Sequence, residues 1–339
     1  MSSGMIGAHE ARRLTRRFKG RRILVVGDLM LDRYIRGSVT RISPEAPVPI
    51  VHVEKENAMP GGAANVACNI RALGGTAIAV GLVGKDDAGL ELKSALRREG
   101  ISTAGVVSAA RVRTTVKSRV VAERQQVVRF DHEDPPDAAA ALASRIGRRI
   151  EQLAAKADAI IIEDYGKGVL TQDVVGVIMT VAARRGLLVG YDPKEDHRLD
   201  VRGLTLATPN FREACWAAGI GARKRLEDPR SDPVLAQAGD ELARKWDPDL
   251  LIITLGPHGM YLRSRGQDPQ LMPTRAREVF DVSGAGDTVI ATAMLALAAG
   301  ASHEQAASVA NCAAGVVCGK LGTATCSPAE LLAAVEWEA

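Results

Sequence analysis

The sequence predicts an α/β fold: a doubly wound central sheet with helices on both faces and a small projecting β lid. Strand patterns and helix patterns alternate along most of the 339 residues, as they do in parallel sheets covered by helices. Two segments, 32–56 and 114–133, instead alternate polar and apolar residues, which indicates strands with one face in water. No linker or internal repeat divides the chain. We therefore expect one domain over residues 1–339, with its α/β core over 22–339.

The core elements follow one another from the N-terminus. The apolar, β-branched run RILVVGD (22–28) is typical of a buried parallel strand. Small residues open a helix pattern over 61–75 and glycines close it, and a strand pattern (76–84) and an amphipathic helix pattern (87–100) come next. The same alternation continues in ADAIIIEDYG, TQDVVGVIMTVAARRG, GLLVGYD, LTLATPN and DLLIITLG. After residue 283 the pattern is helical nearly to the end.

Composition disfavours several classes of protein. The chain is 46% hydrophobic and 25% charged with a formal charge of +4, which is ordinary for a soluble globular protein, and its 3% aromatic residues offer few platforms for base stacking. No apolar run approaches the roughly 18 residues of a membrane span, and none follows the early positive charges as in a secretory signal. The five cysteines are odd in number and lack paired metal spacing. We expect a cytoplasmic protein that binds neither nucleic acid nor membrane.

The basic N-terminal segment leaves two interpretations open. The run ARRLTRRFKGRR (11–22) concentrates positive charge and could contact nucleic acid or a membrane surface. A solvated basic helix within residues 1–21, leading into the first strand, is the simpler interpretation and the one we adopt.

The segment DVSGAGDTVIA (281–291) combines bare backbone with a carboxylate at the predicted start of a helix. The first N–H groups of a helix lack intrahelical partners and lie at the electropositive end of its dipole. Gly284, Ala285 and Gly286 keep large side chains away, so a phosphate can approach these groups as in an anion hole. Asp287 would then take a proton from an attacking hydroxyl while the N–H groups stabilise the transferring phosphoryl group. The motif alone also fits an ordinary helix start with an acidic first turn.

Two motifs near opposite ends of the chain resemble the signatures of the ribokinase-like (PfkB) carbohydrate kinases. The C-terminal motif matches at Asp281, Gly284, Ala285, Gly286 and Asp287. The N-terminal motif matches at Gly61, Gly62, Asn65, Ala67, Gly74 and Gly84. Thr292 is a departure, because many members carry Gly or Ala there. The resemblance implies a ribokinase-like fold, ATP as co-substrate with Mg²⁺, and Asp287 as the general base.

Longer segments resemble the branch of that family that phosphorylates heptose 7-phosphate. They are VVGDLMLDRYIRGSVTRISPEAPVPIV, PGGAANVACNIRALGG, DYGKGVL, DPK and DVSGAGDTVIAT. The resemblance implies transfer of the γ-phosphoryl group of ATP to the anomeric C1 hydroxyl, giving the 1,7-bisphosphate used for ADP-heptose and lipopolysaccharide core synthesis. It also implies a homodimer joined through the lid. No HxGH motif of an adenylyltransferase is present, so we expect a kinase alone.

Three alternatives remain open. The first is a kinase of the same family with another phosphosugar substrate. The second is a catalytically silent sugar-binding regulator, which would have no need for the general base. The third is a dinucleotide oxidoreductase, which is disfavoured because no G-x-G-x-x-G follows the first strand.

The resemblance also places the nucleotide beside two further motifs. In PNFRE, Asn210 and Glu213 lie three residues apart, on one face of a helix that would start there. The family motif N-x-x-E organises Mg²⁺ near the ATP phosphates, and one carboxylate suits an ion that keeps many waters. The same pair also fits a capping box without a metal. The strand–turn–strand around GPHGM contributes Thr254, Gly256 and Gly259 as expected ATP-binding residues.

The sugar is expected at the end of the first strand, where open α/β sheets bind their ligands. Asp28 and Asp32 flank that strand end and can accept hydrogen bonds from sugar hydroxyls. Either could instead cap the turn after the strand, and this alternative fits Asp32 better than Asp28. Gly61 and Gly62 would let the backbone approach the sugar, and Asn65 can both donate and accept.

A substrate that already carries a phosphate needs a cation in the site. Arg41, Lys167 and Lys194 are the candidates, because each lies in a segment that resembles the heptose branch; each also fits an ordinary surface charge. Glu163 and Asp164 follow a buried strand pattern and either serve the site or cap a turn.

Overall fold

The computed structural model describes residues 6–123, 125–221, 226, 228–276 and 278–336. The strands in these residues are β1 (Arg22–Gly27), β2 (Leu29–Ile42), β3 (Pro49–Gly62), β4 (Thr76–Gly84), β5 (Ser102–Ala109), β6 (Thr115–Ala122), β7 (Gln125–His132), β8 (Ala159–Glu163), β9 (Leu188–Asp192), β10 (Leu206–Ala207), β11 (Leu250–Thr254), β12 (Met260–Ser264) and β13 (Gln270–Met272). The helices are α1 (Ala8–Arg16), α2 (Ala63–Ala72), α3 (Asp87–Arg98), α4 (Pro136–Ala140), α5 (Ala143–Ala154), α6 (Gln172–Arg185), α7 (Phe211–Ala217), α8 (Pro233–Trp246), α9 (Ala285–Ala298), α10 (His303–Cys318) and α11 (Pro328–Glu336).

The central sheet has nine strands in the order β13-β12-β11-β10-β9-β8-β1-β4-β5. All neighbours from β11 to β5 pair in parallel, whereas β12 and β13 are antiparallel additions at one edge. The strand order reverses at β1, which lies between β4 and β8. Because the carboxyl ends of the parallel strands meet at one edge, the residues that follow β1, β8, β9 and β10 converge there, where ligands bind in sheets of this type.

Helices cover both faces of the central sheet, which explains why its strands are nearly continuous apolar runs. Successive residues of β1 point to opposite faces. Ile23 and Val25 pack with apolar residues of α2, α9 and α10, whereas Leu24 and Val26 pack with residues of α5, α6 and α8. The doubly wound α/β core that the sequence predicts is confirmed.

Helix α9 is apolar around most of its circumference and contacts α2, α10 and the strands β8 and β9. Its residues from Asp287 to Ala296 are buried, so the helix is fixed in the core rather than lying on the surface. This packing holds its first turn at the carboxyl edge of the sheet.

A second sheet of four strands, in the order β3-β2-β6-β7, projects from the core and forms the lid. The two segments predicted to form it do so, and β2 and β6 run parallel while the outer pairs are antiparallel. Side chains of directly paired residues lie on the same face of a sheet. One face, which we call the inner face, carries Asp32, Lys117, Arg119, Arg129 and Asp131. The opposite, outer face carries Val116, Ser118, Val120, Val128 and Phe130.

The basic N-terminal segment contains an amphipathic helix. In α1 and the turn after it, Ala11, Leu14 and Phe18 are buried, and the helix contacts α11. The first five residues of the predicted basic helix lie outside the described part of the chain. Among the described residues, no helix is long and apolar enough to cross a membrane.

Candidate active site

Asp287 lies in the first turn of α9 and is only 4% exposed. Its Oδ2 accepts a hydrogen bond from Asn65 Nδ2 at 2.6 Å, and its Oδ1 accepts one from the hydroxyl of Tyr165 at 2.7 Å. Burial raises the pKa of the Asp287 carboxyl, and these two hydrogen bonds counteract the rise because they favour its charged form. The two donors therefore orient a buried carboxylate and help to keep it ionised.

The backbone before Asp287 has the form that an anion site requires. Gly284 precedes the helix with a φ of 77°, a left-handed conformation that favours glycine, and a Cβ atom there would lie 2.6 Å from Asn65 Nδ2. No side chain caps this helix start, so amides of its first turn remain available to a ligand. The Ala285 amide already donates to the carbonyl of Val282 at 3.2 Å. Gly286 is exposed, and its amide fits the predicted anion hole better than that of Ala285.

Three carboxylates converge beside this helix start. Glu163 ends β8, Asp192 ends β9, and one oxygen from each lies within 4.8 Å of the others and of an Asp287 oxygen. Glu163 is fully buried, and neither of its oxygens has a hydrogen-bond partner among the described residues. Burial, with the charges of Asp192 and Asp287, raises the pKa of Glu163 well above its ordinary value. An acidic cluster with an unpartnered buried carboxylate fits a divalent cation. A cation would offset both the repulsion among the carboxylates and the burial of Glu163 without hydrogen bonds.

Asn210 and Glu213 form the capping box at the start of α7. The Asn210 side chain accepts from the Glu213 amide and the Glu213 carboxylate accepts from the Asn210 amide, each at 2.9 Å. Burial raises the pKa of Glu213 to about 7, although the amide of Asn210 and the charge of Lys194 oppose the rise. The charge of Glu213 in turn raises the pKa of Asp192, which places Glu213 beside the acidic cluster. The capping interpretation therefore holds, and a metal role for Glu213 stays a prediction.

A cleft of about 1020 Å³ opens beside the first turn of α9. Its polar rim includes Thr254, Gly256 and Gly259, and it reaches Gly286. The remaining lining is mostly apolar and includes Pro257, Met260, Val279, Val282, Val289, Ala314 and Cys318. Asn210 forms a β-bridge with Thr254, so the α7 start adjoins the same cleft. The three residues that the strand–turn–strand motif predicts thus line one cleft, with an apolar floor that suits a planar heterocycle.

Asp28 organises the loop after β8. Its carboxylate accepts hydrogen bonds from the amides of Tyr165 and Lys167, each at 3.0 Å, and from the amide of Val169 at 3.2 Å. It is 2% exposed, and burial raises its pKa despite those amides. The structure shows Asp28 fixing the loop that carries Tyr165, and its direct contact with a sugar stays a prediction.

Asp32 and the two glycines at the end of β3 form a wall of the site, and the charge of Asp32 is close enough to raise the pKa of Asp287. A Cβ atom on Gly61 would lie 2.2 Å from an Asp32 carboxylate oxygen, and one on Gly62, whose φ is 58°, would lie 2.6 Å from the carbonyl oxygen of Asp28. Glycine at both positions therefore lets the lid join the core closely. Asp32 pairs with Arg119 across the inner face at 2.5 Å. Asn65 is fully buried and donates to Asp287, and its predicted contact with the sugar stays a prediction.

The three predicted cations lie in different places. Lys167 pairs with Glu133 at 2.7 Å beside the lid, and Lys194 acts on Glu213, on the nucleotide side. Arg41 is exposed near the far end of β2, nine residues beyond Asp32, which corresponds to roughly 30 Å of extended strand. Within one chain, this position does not support Arg41 as a ligand of the sugar phosphate.

Several residues of the site were not predicted from the sequence. Tyr165 lies in the DYGKGV segment, but only the fold shows that its hydroxyl reaches Asp287. Lys117 and Arg119 lie two residues apart on β6, and their place in the alternating pattern could have assigned them to one face. Asp192 ends a buried strand, as Glu163 does, and such positions at the carboxyl edge were the available signal for the acidic cluster.

Comparison with known proteins places the chain among kinases. A family model described as pfkB family carbohydrate kinase matches residues 21–330. The chain is 48% identical over 324 residues to bifunctional protein HldE of Caulobacter vibrioides, covering 94% of this chain and 64% of that protein. It is 45% identical over 324 residues to bifunctional protein HldE of Pseudomonas aeruginosa, covering 95% of this chain and 65% of that protein. The chain thus spans slightly less than two thirds of the length of these relatives.

Solved structures of low sequence identity share the fold. Arabidopsis thaliana ribokinase complexed with ribose and ATP aligns with a TM-score of 0.70 at 17% identity, covering 94% of this chain and 99% of that chain. Escherichia coli phosphofructokinase-2 in complex with potassium aligns with a TM-score of 0.72 at 20% identity, covering 94% and 98%. These likenesses confirm the predicted ribokinase-like fold.

Proposed function

The chain belongs to the pfkB family of carbohydrate kinases, and we propose that it transfers the γ-phosphoryl group of ATP to the C1 hydroxyl of D-glycero-D-manno-heptose 7-phosphate. The product would be heptose 1,7-bisphosphate, a precursor for ADP-heptose and lipopolysaccharide core synthesis. The family supports ATP as the co-substrate. The heptose assignment rests on the longer segments that resemble the heptose branch, together with the likeness to the HldE proteins over nearly the whole chain.

The position of Asp287 is the observation that carries the proposal. This buried carboxylate adjoins Gly286, which the nucleotide cleft reaches, and lies near the wall formed by Asp32 and Gly61, since the charge of Asp32 raises its pKa. An acceptor hydroxyl on that wall side would face both the carboxylate and a phosphate at the helix start. A silent sugar-binding regulator would have no use for a buried carboxylate held by two donors in this position.

The residues present account for the proton and the charge in the transfer. Asp287 takes the proton of the C1 hydroxyl, whose oxygen forms the new bond to the γ-phosphorus. The bond from that phosphorus to the β–γ bridging oxygen breaks, and ADP leaves. Amides of the first turn of α9 stabilise the charge on the transferring group. Asn65 and Tyr165 hold the carboxylate in place throughout.

We assign the Mg²⁺ site to the acidic cluster of Glu163 and Asp192, with Glu213 beside it. The unpartnered oxygens of Glu163 support this assignment, because a buried carboxylate without hydrogen bonds calls for a cation. When bound, Mg²⁺ supplies positive charge that neutralises the ATP phosphates.

The lid supports a homodimer as the working form. On its outer face, the apolar side chains of Val128 and Phe130 are 49% and 41% exposed, and Val120 lies opposite Val128. A small sheet does not bury such a face by itself, and two-fold pairing is the commonest way for two copies to cover it. We therefore expect two chains to pair through their lids.

An ADP-release assay against a panel of phosphosugars tests the proposed function. Heptose 7-phosphate is expected to give the highest kcat/KM, with fructose 6-phosphate and unphosphorylated heptose as competing acceptors. A higher kcat/KM for another phosphosugar would retain the kinase and replace the substrate. Absence of ADP release with every sugar would overturn the proposal.

A further inference from the structure

Near the core, the inner face of the lid carries one cation that its own carboxylates do not neutralise; Arg36 and Lys55 lie on the same face nearer its distal end. Asp32 pairs with Arg119 at 2.5 Å, and Asp131 pairs with Arg129 at 2.9 Å. The remaining cation is Lys117, which lies between them because it is opposite Asp32 on β2 and opposite Asp131 on β7.

Lys117 has no ion-pair or hydrogen-bond partner among the residues that the structure describes. Its ammonium lies 5.1 Å from the centre of the Tyr165 ring, and the side chain is half-buried. Burial lowers the pKa of Lys117, and the nearby charge of Lys167 adds to this effect, whereas the charge of Asp32 opposes it. A partly desolvated ammonium without a carboxylate is costly, and an anionic ligand would offset that cost.

The position of Lys117 fits one end of a sugar. Its ammonium lies over the face of the Tyr165 ring, and the hydroxyl of the same tyrosine donates to Asp287. The charge of Lys117 also lowers the pKa of Asp287, so the two groups act on the same part of the site. Lys167, from the loop held by Asp28, lies close enough to repel Lys117.

We propose that Lys117 binds the phosphate group that the sugar substrate already carries, at the end of the sugar opposite the hydroxyl that is phosphorylated. Lys167 contributes from the core side, where Glu133 now neutralises it. Lys117 thereby selects a phosphosugar over the free sugar. This inference rests on the proposed sugar kinase function, and it assigns the phosphate to the lid rather than to Arg41 or Lys194.

The test compares Lys117→Met, Lys117→Arg and a control, Lys55→Met, which removes an exposed lysine of the same sheet. The readout is the ratio of kcat/KM for heptose 7-phosphate to kcat/KM for unphosphorylated heptose. Lys117→Met is expected to lower this ratio roughly tenfold to hundredfold, the range expected for loss of a charge-assisted hydrogen bond. Lys117→Arg should restore most of it, and the KM for ATP should stay unchanged. An unaltered ratio, or a rise confined to the KM for ATP, would overturn the inference.

A second measurement separates this inference from the proposed function. With a saturating non-hydrolysable ATP analogue occupying the first turn of α9, inorganic phosphate should further raise the Tm of the wild type and of Lys55→Met but not that of Lys117→Met. That pattern in a protein that phosphorylates no sugar would support the phosphate site and reject the kinase function. Equal stabilisation of Lys117→Met and wild type would reject the site even if the kinase is active. Since the substitution removes an unpaired, half-buried charge, Lys117→Met should fold at least as stably as the wild type.

Discussion

Replacing Asp287, the proposed general base, should separate catalysis from stability. In Asp287→Asn the amide keeps the shape of the carboxylate, and its oxygen can still accept from Asn65 while its NH₂ group faces the Tyr165 hydroxyl, which can accept. Both hydrogen bonds can therefore be kept, and we expect the fold to be unchanged. The substitution removes the carboxylate that these two donors hold and that is proposed to take the substrate proton. We expect kcat to fall by about 10²–10⁴-fold, the usual effect of losing a general base.

The stability of the same variant should not fall with its activity. Because burial raises the pKa of Asp287 in the folded protein, ionising it costs more in the folded chain than in the unfolded chain. The cost is absent below the unfolded pKa of about 3.9 and grows as pH rises through the folded value. At pH 7 the neutral amide avoids it, so the Tm of Asp287→Asn should equal or exceed that of the wild type.

The assay couples ADP release to NADH oxidation with heptose 7-phosphate as acceptor, and calorimetry measures ATP binding in parallel. Asp173→Asn, which changes an exposed carboxylate in the first turn of α6, serves as the matched control and should leave kcat and Tm unchanged. ATP affinity should change little in either variant. A kcat for Asp287→Asn within about tenfold of the wild type would refute the assignment of the base.

Three further outcomes are expected. Glu213→Gln should raise the Mg²⁺ concentration that gives the half-maximal rate; if Glu213 only caps α7, the Mg²⁺ profile should stay fixed while stability falls by about 1 kcal/mol. Val128→Glu should give monomers in light scattering and a higher KM for the sugar, and a fully active wild-type monomer at micromolar concentration would contradict the dimer. The hydrogen bond to Asp164 raises the pKa of His197 above its ordinary value. The pair therefore stabilises the fold fully below about pH 6.5, the pKa of an unfolded histidine, and this stabilisation is lost as pH rises through the raised pKa. The Tm deficit of His197→Asn should therefore be larger at pH 6 than at pH 9, and a deficit independent of pH would rule this out.

The choice of lid positions for such tests depends on the structure. The alternating pattern assigns Val116, Val120 and Val128 to one face, and the register confirms that Val120 lies opposite Val128. However, Val116 is only 8% exposed and belongs to the core cluster, so a charge there would destabilise the fold before it reported on assembly. Exposure depends on how the lid meets the core, which a period of two does not specify.

Local patterns predicted the parts of the site that depend on local physics. The glycines before Asp287 and the Asn210–Glu213 pair are features of a helix start, and their spacing alone specifies them. The role of Asn65 could not be predicted in the same way, because its partner lies 222 residues away. The hydrogen bonds of Asp28 span 137 residues or more, so its scaffolding role also depends on the assembled sheet.

The alternation within β6 constrains how the lid can change during evolution. Lys117 and Arg119 point toward the site, while Val116, Ser118 and Val120 point away, so inserting or deleting one residue would exchange the two faces. The polar face would then be presented to a second chain and the apolar face to the sugar, so both proposed roles of the lid, pairing and sugar binding, would be lost together. The register shift between Val120 and Val121 leaves one extra residue, Val127 of β7, near the distal end of the lid, beyond Lys117 and Arg119. We therefore expect insertions or deletions of single residues to be tolerated at the distal end of the lid. Nearer the core, we expect the lid strands to change length only in steps of two residues.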